Sequence, residues 1–399
     1  MALPVALQGD LSETVRVGFP PALVAAARPK GKDRHARRLR RLRYHLRVVA
    51  QDLSPSKGVQ RCGRRRAFAP GGQREVEIRL GLKGRAFYAG LLRCGSVWEC
   101  PVCMHGIQHE RGAQLRHLLE RNRDKGGAAY MLTLTLPHDQ GDELRPMRRH
   151  VARAWRYVQT GAPWKRLTAR LGLVGTCRAL EVTHGPNGWH PHLHVLVLVR
   201  APLLAPVQGE LLEYIRRRWV DAITRPNPDN SKQYRAPSVQ HGVTLTESHQ
   251  DEYLAKLGLA DELAGDVKSG RGEGHRTPLE LLLGAARGVL RDVALWAEYA
   301  REIRGARKLT WGGELGSVAG RAAYGLTEQT DLELAGMEER QPALLVAVVE
   351  PKLWDTVVSR DVALQLRLLR CAEDLPPPAA QDRILRELDL AQGLIPCPF

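Results

Sequence analysis

At 399 residues, 43% of them hydrophobic, the chain is long enough to bury a core and form two or three domains, which excludes a peptide or a disordered tail. Its 60 lysines and arginines outnumber 43 acids and leave a net charge of +17, a field that attracts polyanions. No 18-residue apolar run and no long amphipathic lipid-binding segment accompany that charge, so nucleic acid fits as the partner and a membrane does not.

The opening "MALPVALQGDLSE" reaches an acid too early for a signal peptide, and the expected compartment is the cytoplasm, where the 7 cysteines stay reduced. Residues 28–47, "RPKGKDRHARRLRRLRYHLR", are densely basic, with Leu39, Leu42, Leu46 and Val49 at helical spacing beneath. Arg37, Arg38 and Arg41 on that helix, and Arg64 and Arg65 in "VQRCGRRR", are candidate DNA contacts. A solvated face packed on the domain explains the helix equally well.

A strand-like "REVEIRL" leads to "LLRCGSVWECPVCMHGI". The Cys100-Pro-Val-Cys103 step has the two-residue spacing that brings two thiolates to one tetrahedral ion at about 2.3 Å. With Cys94 and Cys62 the set makes a structural zinc site; buried unliganded thiols are the alternative, and His105 or His109 could replace Cys62. Cys177, Cys371 and Cys397 stand alone.

From Ala128 the pattern turns to strands. "YMLTLTLPH" sets Leu132, Leu134 and Leu136 on one face and Thr133 and Thr135 on the other. "RALEVTH" and "GWHPHLHVLVLV", joined by "GPNG", form a hairpin, and symmetry about the turn sets Glu181 opposite His192 and Thr183 opposite His190. A basic helix follows at Glu210–Trp219, and "TESHQDEYLAKLG" reads as a helix with Thr246 as N-cap. Thr277, Pro278 and Glu280 open a long helix running to about Arg304. An acidic linker and a helical region at 342–390 close the chain. The expected segments are a basic arm (1–54), a zinc-binding module (55–127), a catalytic domain (128–312) and a linker with helical C-terminal region (313–399).

His192 and His194, two apart on a strand, point to one side and reach one cation at about 2.0–2.2 Å. Glu181 completes a face of two histidines and a carboxylate, leaving open positions for a phosphate oxygen on Mn²⁺ or Mg²⁺. His190 on the same face is a candidate DNA contact. A cupin-like oxygenase also uses His-x-His, but it needs a glutamate a few residues on, and here "VLVLV" follows. Attack on phosphorus requires a nucleophile. Tyr253 with Lys256 one turn later in "EYLAKLG" supplies one, because an ammonium favours the phenolate or neutralises the phosphate.

"TLTLPH", "GWHPHLHV" and "YLAK", in that order, with "RCGRR", "CGSVWECPVC" and "LWAEYAREIRGARKLTW", resemble the HUH endonucleases and, more narrowly, the single-tyrosine rolling-circle plasmid replication initiators of high-GC Gram-positive bacteria. The resemblance covers residues 60–312. It implies an α+β fold: an HUH core with a central five-stranded antiparallel sheet flanked by helices, beside the zinc module and the helical C-terminal region. It further implies His192 and His194 as metal ligands, Tyr253 as nucleophile and Lys256 as its helper. The activity implied is nicking of single-stranded or hairpin-extruded plasmid origin DNA to leave a 5′-phosphotyrosine and a free 3′-OH for the host polymerase. Relatives place a glutamate one turn before the tyrosine, where this chain has His249 with Glu247, Asp251 and Glu252 nearby. No phosphate-loop motif occurs, so unwinding falls to a host helicase. A conjugative relaxase, a single-tyrosine transposase or a non-catalytic zinc-containing DNA-binding regulator are the alternatives.

Overall fold

The computed structural model describes residues 34–247 and 274–393. Its strands in chain order are β1 (Phe68–Ala69), β2 (Gly72–Gln73), β3 (Val76–Gly81), β4 (Ala86–Ala89), β5 (Ala128–Leu134), β6 (Leu173–Gly185), β7 (Gly188–Val199), β8 (Val243–Thr246), β9 (Leu309–Gly313) and β10 (Ala343–Val349). All strand pairs are antiparallel and helices connect them, so the protein is α+β. The described residues form two compact units, one of residues 34–45, 57–94 and 335–393, the other of residues 46–56, 95–247 and 274–334.

The larger unit is built on a five-stranded sheet in the order β8-β5-β7-β6-β9. β7 is its central strand, which explains the unbroken "VLVLV": every residue from Leu193 to Val199 is buried, as expected of a strand covered on both faces. The helix Pro101–Asp124 covers one face by setting Leu115 and Leu118 on a cluster with Met131, Cys177, Ala179, Leu196 and Leu198. The helix Leu144–Val158 packs against β7 and against the helix Ala205–Ile223, which extends the expected basic helix at both ends.

The single helix expected from Thr277 to Arg304 is instead two, Pro278–Ala286 and Leu290–Glu302. The expected capping box is present, with Thr277 accepting from the Glu280 N–H and Glu280 accepting from the Thr277 N–H. Gly288 ends the first helix at φ +82°, a conformation that favours glycine. There the Gly288 N–H donates to Ala285 O and the Val289 N–H to Gly284 O, the paired bonds of a Schellman stop.

The smaller unit holds the sheet β10-β3-β4 and the hairpin β1-β2. Val76, Ile78 and Leu80 alternate inward along β3. The helices Val362–Asp374 and Pro377–Ala391 pack on this sheet. Residues 343–349, expected to be helical, form β10 against β3, because the apolar run "ALLVAVV" finds an open strand edge to complete. Among the described residues no helix is long and apolar enough to cross a membrane.

Candidate metal centre and nucleic-acid interface

The two-residue connection Pro186-Asn187 closes the β6–β7 hairpin, and Gly188 turns the chain at φ +86°. The register places Glu181 opposite His192, Thr183 opposite His190 and Ala179 opposite His194. Alternation along paired strands then puts Glu181, His190, His192 and His194 on one face, and Thr133, opposite His194 on β5, shares it.

On that face the three ligand-type atoms converge. His192 Nε2 lies 3.0 Å and His194 Nε2 2.9 Å from Glu181 Oε2, and the two Nε2 atoms are 3.2 Å apart. Neighbouring ligands on an octahedral ion with bonds of about 2.1 Å are separated by about 3.0 Å, so the spacing fits three adjacent coordination positions on one cation. Two imidazoles and a carboxylate on one side leave the opposite positions open, and the mixed nitrogen and oxygen set suits a divalent ion that binds phosphate oxygens.

The surroundings prepare these ligands. Burial works against ionisation of Glu181, but the neighbouring charge and hydrogen bonds of His192 and His194 outweigh it and hold the carboxyl well below its usual range. Thr133 Oγ1 lies 3.1 Å from His194 Nδ1, so with Nδ1–H donating to the hydroxyl, Nε2 is left with its lone pair free to bind a cation. His190 stands beside His138, Nδ1 to Nδ1 3.3 Å with rings edge to face. Burial, followed by the nearby His192, His138 and His275, pushes the His190 pKa down to about 3, so it is a neutral ring at physiological pH. The sequence reading did not connect Thr133 or His138 with this site; their place in "TLTLPH" was the available signal.

Of the four cysteines, Cys62 and Cys94 belong to the smaller unit and Cys100 and Cys103 to the larger. Cys62, Cys100 and Cys103 are buried, Cys94 half-buried, and none of the four is in a disulfide. Cys100 occupies the N-cap position of the helix beginning at Pro101, and Cys103 lies in its first turn. The Cys94 N–H donates to Cys62 Sγ at 3.4 Å.

Among the candidate DNA contacts, Arg38, Arg41 and Arg65 are exposed and Arg64 half-buried. Arg37 is ion-paired with Asp374 and Glu373. Tyr253 and Lys256 lie outside the described residues.

A curated relative, "Protein rep" of Streptomyces lividans, is 30% identical over 385 aligned residues, covering 78% of this chain and 82% of the relative. The chain belongs to the Rep family of replication proteins. The replication protein family model matches residues 93–221 of this Rep chain, from the cysteine segment through the histidine hairpin. Two shorter likenesses accompany it: a "Neomycin resistance protein" of Streptomyces cyanogenus, 33% identical over 29% of this chain and 32% of the relative, and a "Protein rep" of a Bacillus species, 29% identical over 25% and 32%. No solved structure matches the Rep chain.

Proposed function

We propose that this Rep chain is a plasmid rolling-circle replication initiator of the HUH type, nicking one strand at the double-strand origin by tyrosine transesterification and rejoining it at termination. The observation that carries the reading is the convergence of Glu181, His192 and His194 on the sheet face of a Rep-family chain. Mn²⁺ or Mg²⁺ held there would polarise the scissile phosphate. Glu181 stays ionised to receive the cation, and the hydroxyl of Thr133 keeps the lone pair of His194 aimed at it.

Tyr253 is the proposed nucleophile. Its oxygen forms a bond to phosphorus as the P–O3′ bond breaks, its proton passes to solvent, and the leaving 3′ oxygen is protonated to the free hydroxyl that a host polymerase extends. Lys256 favours the phenolate. Chain geometry permits this: Thr244, Thr133 and His194 lie in one row across β8, β5 and β7, so Thr244 is about 10 Å from the site. β8 ends at Thr246, and the seven residues from there to Tyr253 reach at most about 23 Å, enough to span the distance. The same reading places the protein in the cytoplasm, gives single-stranded or hairpin-extruded origin DNA as its substrate and a host helicase as its motor, and gives structural Zn²⁺ to Cys62, Cys94, Cys100 and Cys103.

The test is incubation with single-stranded origin DNA and Mn²⁺, followed by a denaturing gel. Wild type should give a covalent protein–DNA adduct and Tyr253→Phe none, with DNA affinity retained within a few-fold. An undiminished adduct in Tyr253→Phe, or a bandshift with no cleavage in wild type, overturns the proposal.

A further inference from the structure

The sheet face that carries Glu181 and the histidines continues toward the edge strand. Ala179 pairs with both His194 on β7 and Leu309 on β9, and Cys177 pairs with both Leu196 and Trp311. Leu309 and Trp311 therefore share the face of the metal ligands. Two strand spacings and one step along the strand separate Trp311 from His194, about 12 Å.

At that edge lies a cavity of about 260 Å³ lined by Leu309, Trp311, Arg111, Arg307, Arg321 and Glu328 among others. It is smaller than the roughly 300–1,000 Å³ of sites for drug-sized ligands, and suits one base with part of its backbone. In the lining Arg321 is paired with Glu328 and Arg111 with Asp331, which leaves the Arg307 guanidinium to receive an anion. Both paired arginines are held in place: Arg111 donates to Gln329 O and Asp331, and Arg321 to Leu315 O and Gly316 O. Arg307 is exposed and has no hydrogen-bond or ion-pair partner among the described residues. Trp311 is half-buried, packed against the cluster of Cys177, Leu196, Leu315 and Leu326, and its indole still lines the cavity.

We infer that this cavity is a nucleotide subsite for the single strand that runs over the metal centre, with one base stacked on Trp311 and its phosphate at Arg307. The inference rests on the nicking site proposed above and adds where the strand is gripped. The helix Pro101–Asp124 covers the sheet between Trp311 and His194, so 12 Å is the shortest path, and at about 3.4 Å per stacked nucleotide the gripped base lies at least three to four nucleotides from the scissile phosphate.

The experiment measures Kd by fluorescence anisotropy, without divalent metal, for a set of origin oligonucleotides each carrying one abasic site. Trp311→Leu should weaken the intact strand about 10-fold and Trp311→Phe much less, since stacking on an aromatic ring carries the contact. One abasic position, at least three nucleotides from the nick, should cost wild type about 10-fold and Trp311→Leu less than about 2-fold. Arg307→Ala, exposed and unlinked to the fold, should lower the slope of log K against log salt by about 1. Abasic costs that are the same in wild type and Trp311→Leu at every position, or an unchanged salt slope in Arg307→Ala, overturn the subsite. Nicking of the same oligonucleotides with Mn²⁺, read in parallel, separates the two claims. A flat abasic map with nicking intact refutes the subsite, whereas a coupled position without nicking refutes the cleavage chemistry and leaves the subsite standing.

Discussion

Replacing Thr133 by valine keeps the shape of the side chain and removes one hydroxyl, the one 3.1 Å from His194 Nδ1. In the proposed metal-bound state Nε2 must present its lone pair, so Nδ1 carries the proton and needs an acceptor. His194 is 7% exposed and water does not readily replace the lost partner. Without metal the ring can switch tautomer and donate Nε2–H to Glu181, 2.9 Å away, so the penalty falls on the bound state alone. Losing the hydrogen bond from the bound state costs about 0.5–1.5 kcal/mol, equivalent to a roughly 2- to 13-fold weaker Kd for the ion. Calorimetric titration of Mn²⁺ into wild type, Thr133→Val and Thr133→Ser should show that loss in the valine variant and near-recovery in the serine variant. Melting in chelator should be alike for wild type and Thr133→Val. Mn²⁺ affinity of Thr133→Val within twofold of wild type, or a serine variant as weak as the valine one, would refute the argument.

If Cys62, Cys94, Cys100 and Cys103 hold zinc, elemental analysis should find one equivalent per chain in wild type and well under half in Cys100→Ser; equal contents in the two proteins count against the site. His150, buried with its Nε2–H donating to Ile223 O, has its pKa lowered chiefly by burial, so the folded state favours the neutral ring. Its contribution to stability is present above the unfolded-state pKa of about 6.5 and is lost as pH falls below that value toward the lowered folded pKa, with a slope approaching about 1.4 kcal/mol per pH unit. Urea unfolding from pH 7.5 to 5 should show a shallower acid loss in His150→Gln than in wild type, and parallel curves would remove His150 as the cause.

Much of the five-stranded sheet was legible because its signals are local. Period-two alternation gave β5 and the histidine strand, and "GPNG" gave the hairpin turn, which sets Glu181 opposite His192 by symmetry alone. Contacts between distant segments carried no such signal. Thr133 meets His194 only because β5 pairs with β7, and Arg37 meets Glu373 and Asp374 only through the fold of the smaller unit. The stop at Gly288 was written in a single glycine that an otherwise continuous helical pattern concealed. β10 was read as helix because a short apolar run takes its conformation from the edge it meets. Tyr253 and Lys256 fall outside the described residues, so the roles proposed for them rest on motif order.

The pairing of β3 with β10 also governs how the protein emerges from the ribosome. Gly81 must wait for Ala343, and at about 5–20 residues per second that wait lasts roughly 13–50 s. During it the apolar row Val76, Ile78 and Leu80 has β4 beside it and nothing on its other edge. The five-stranded sheet has its last strand by Gly313, before any of β10 has been synthesised. The nascent chain thus carries a sheet complete in its strands while its smaller unit still displays an open, sticky edge, a natural substrate for chaperones and a point at which a truncated translation product would aggregate.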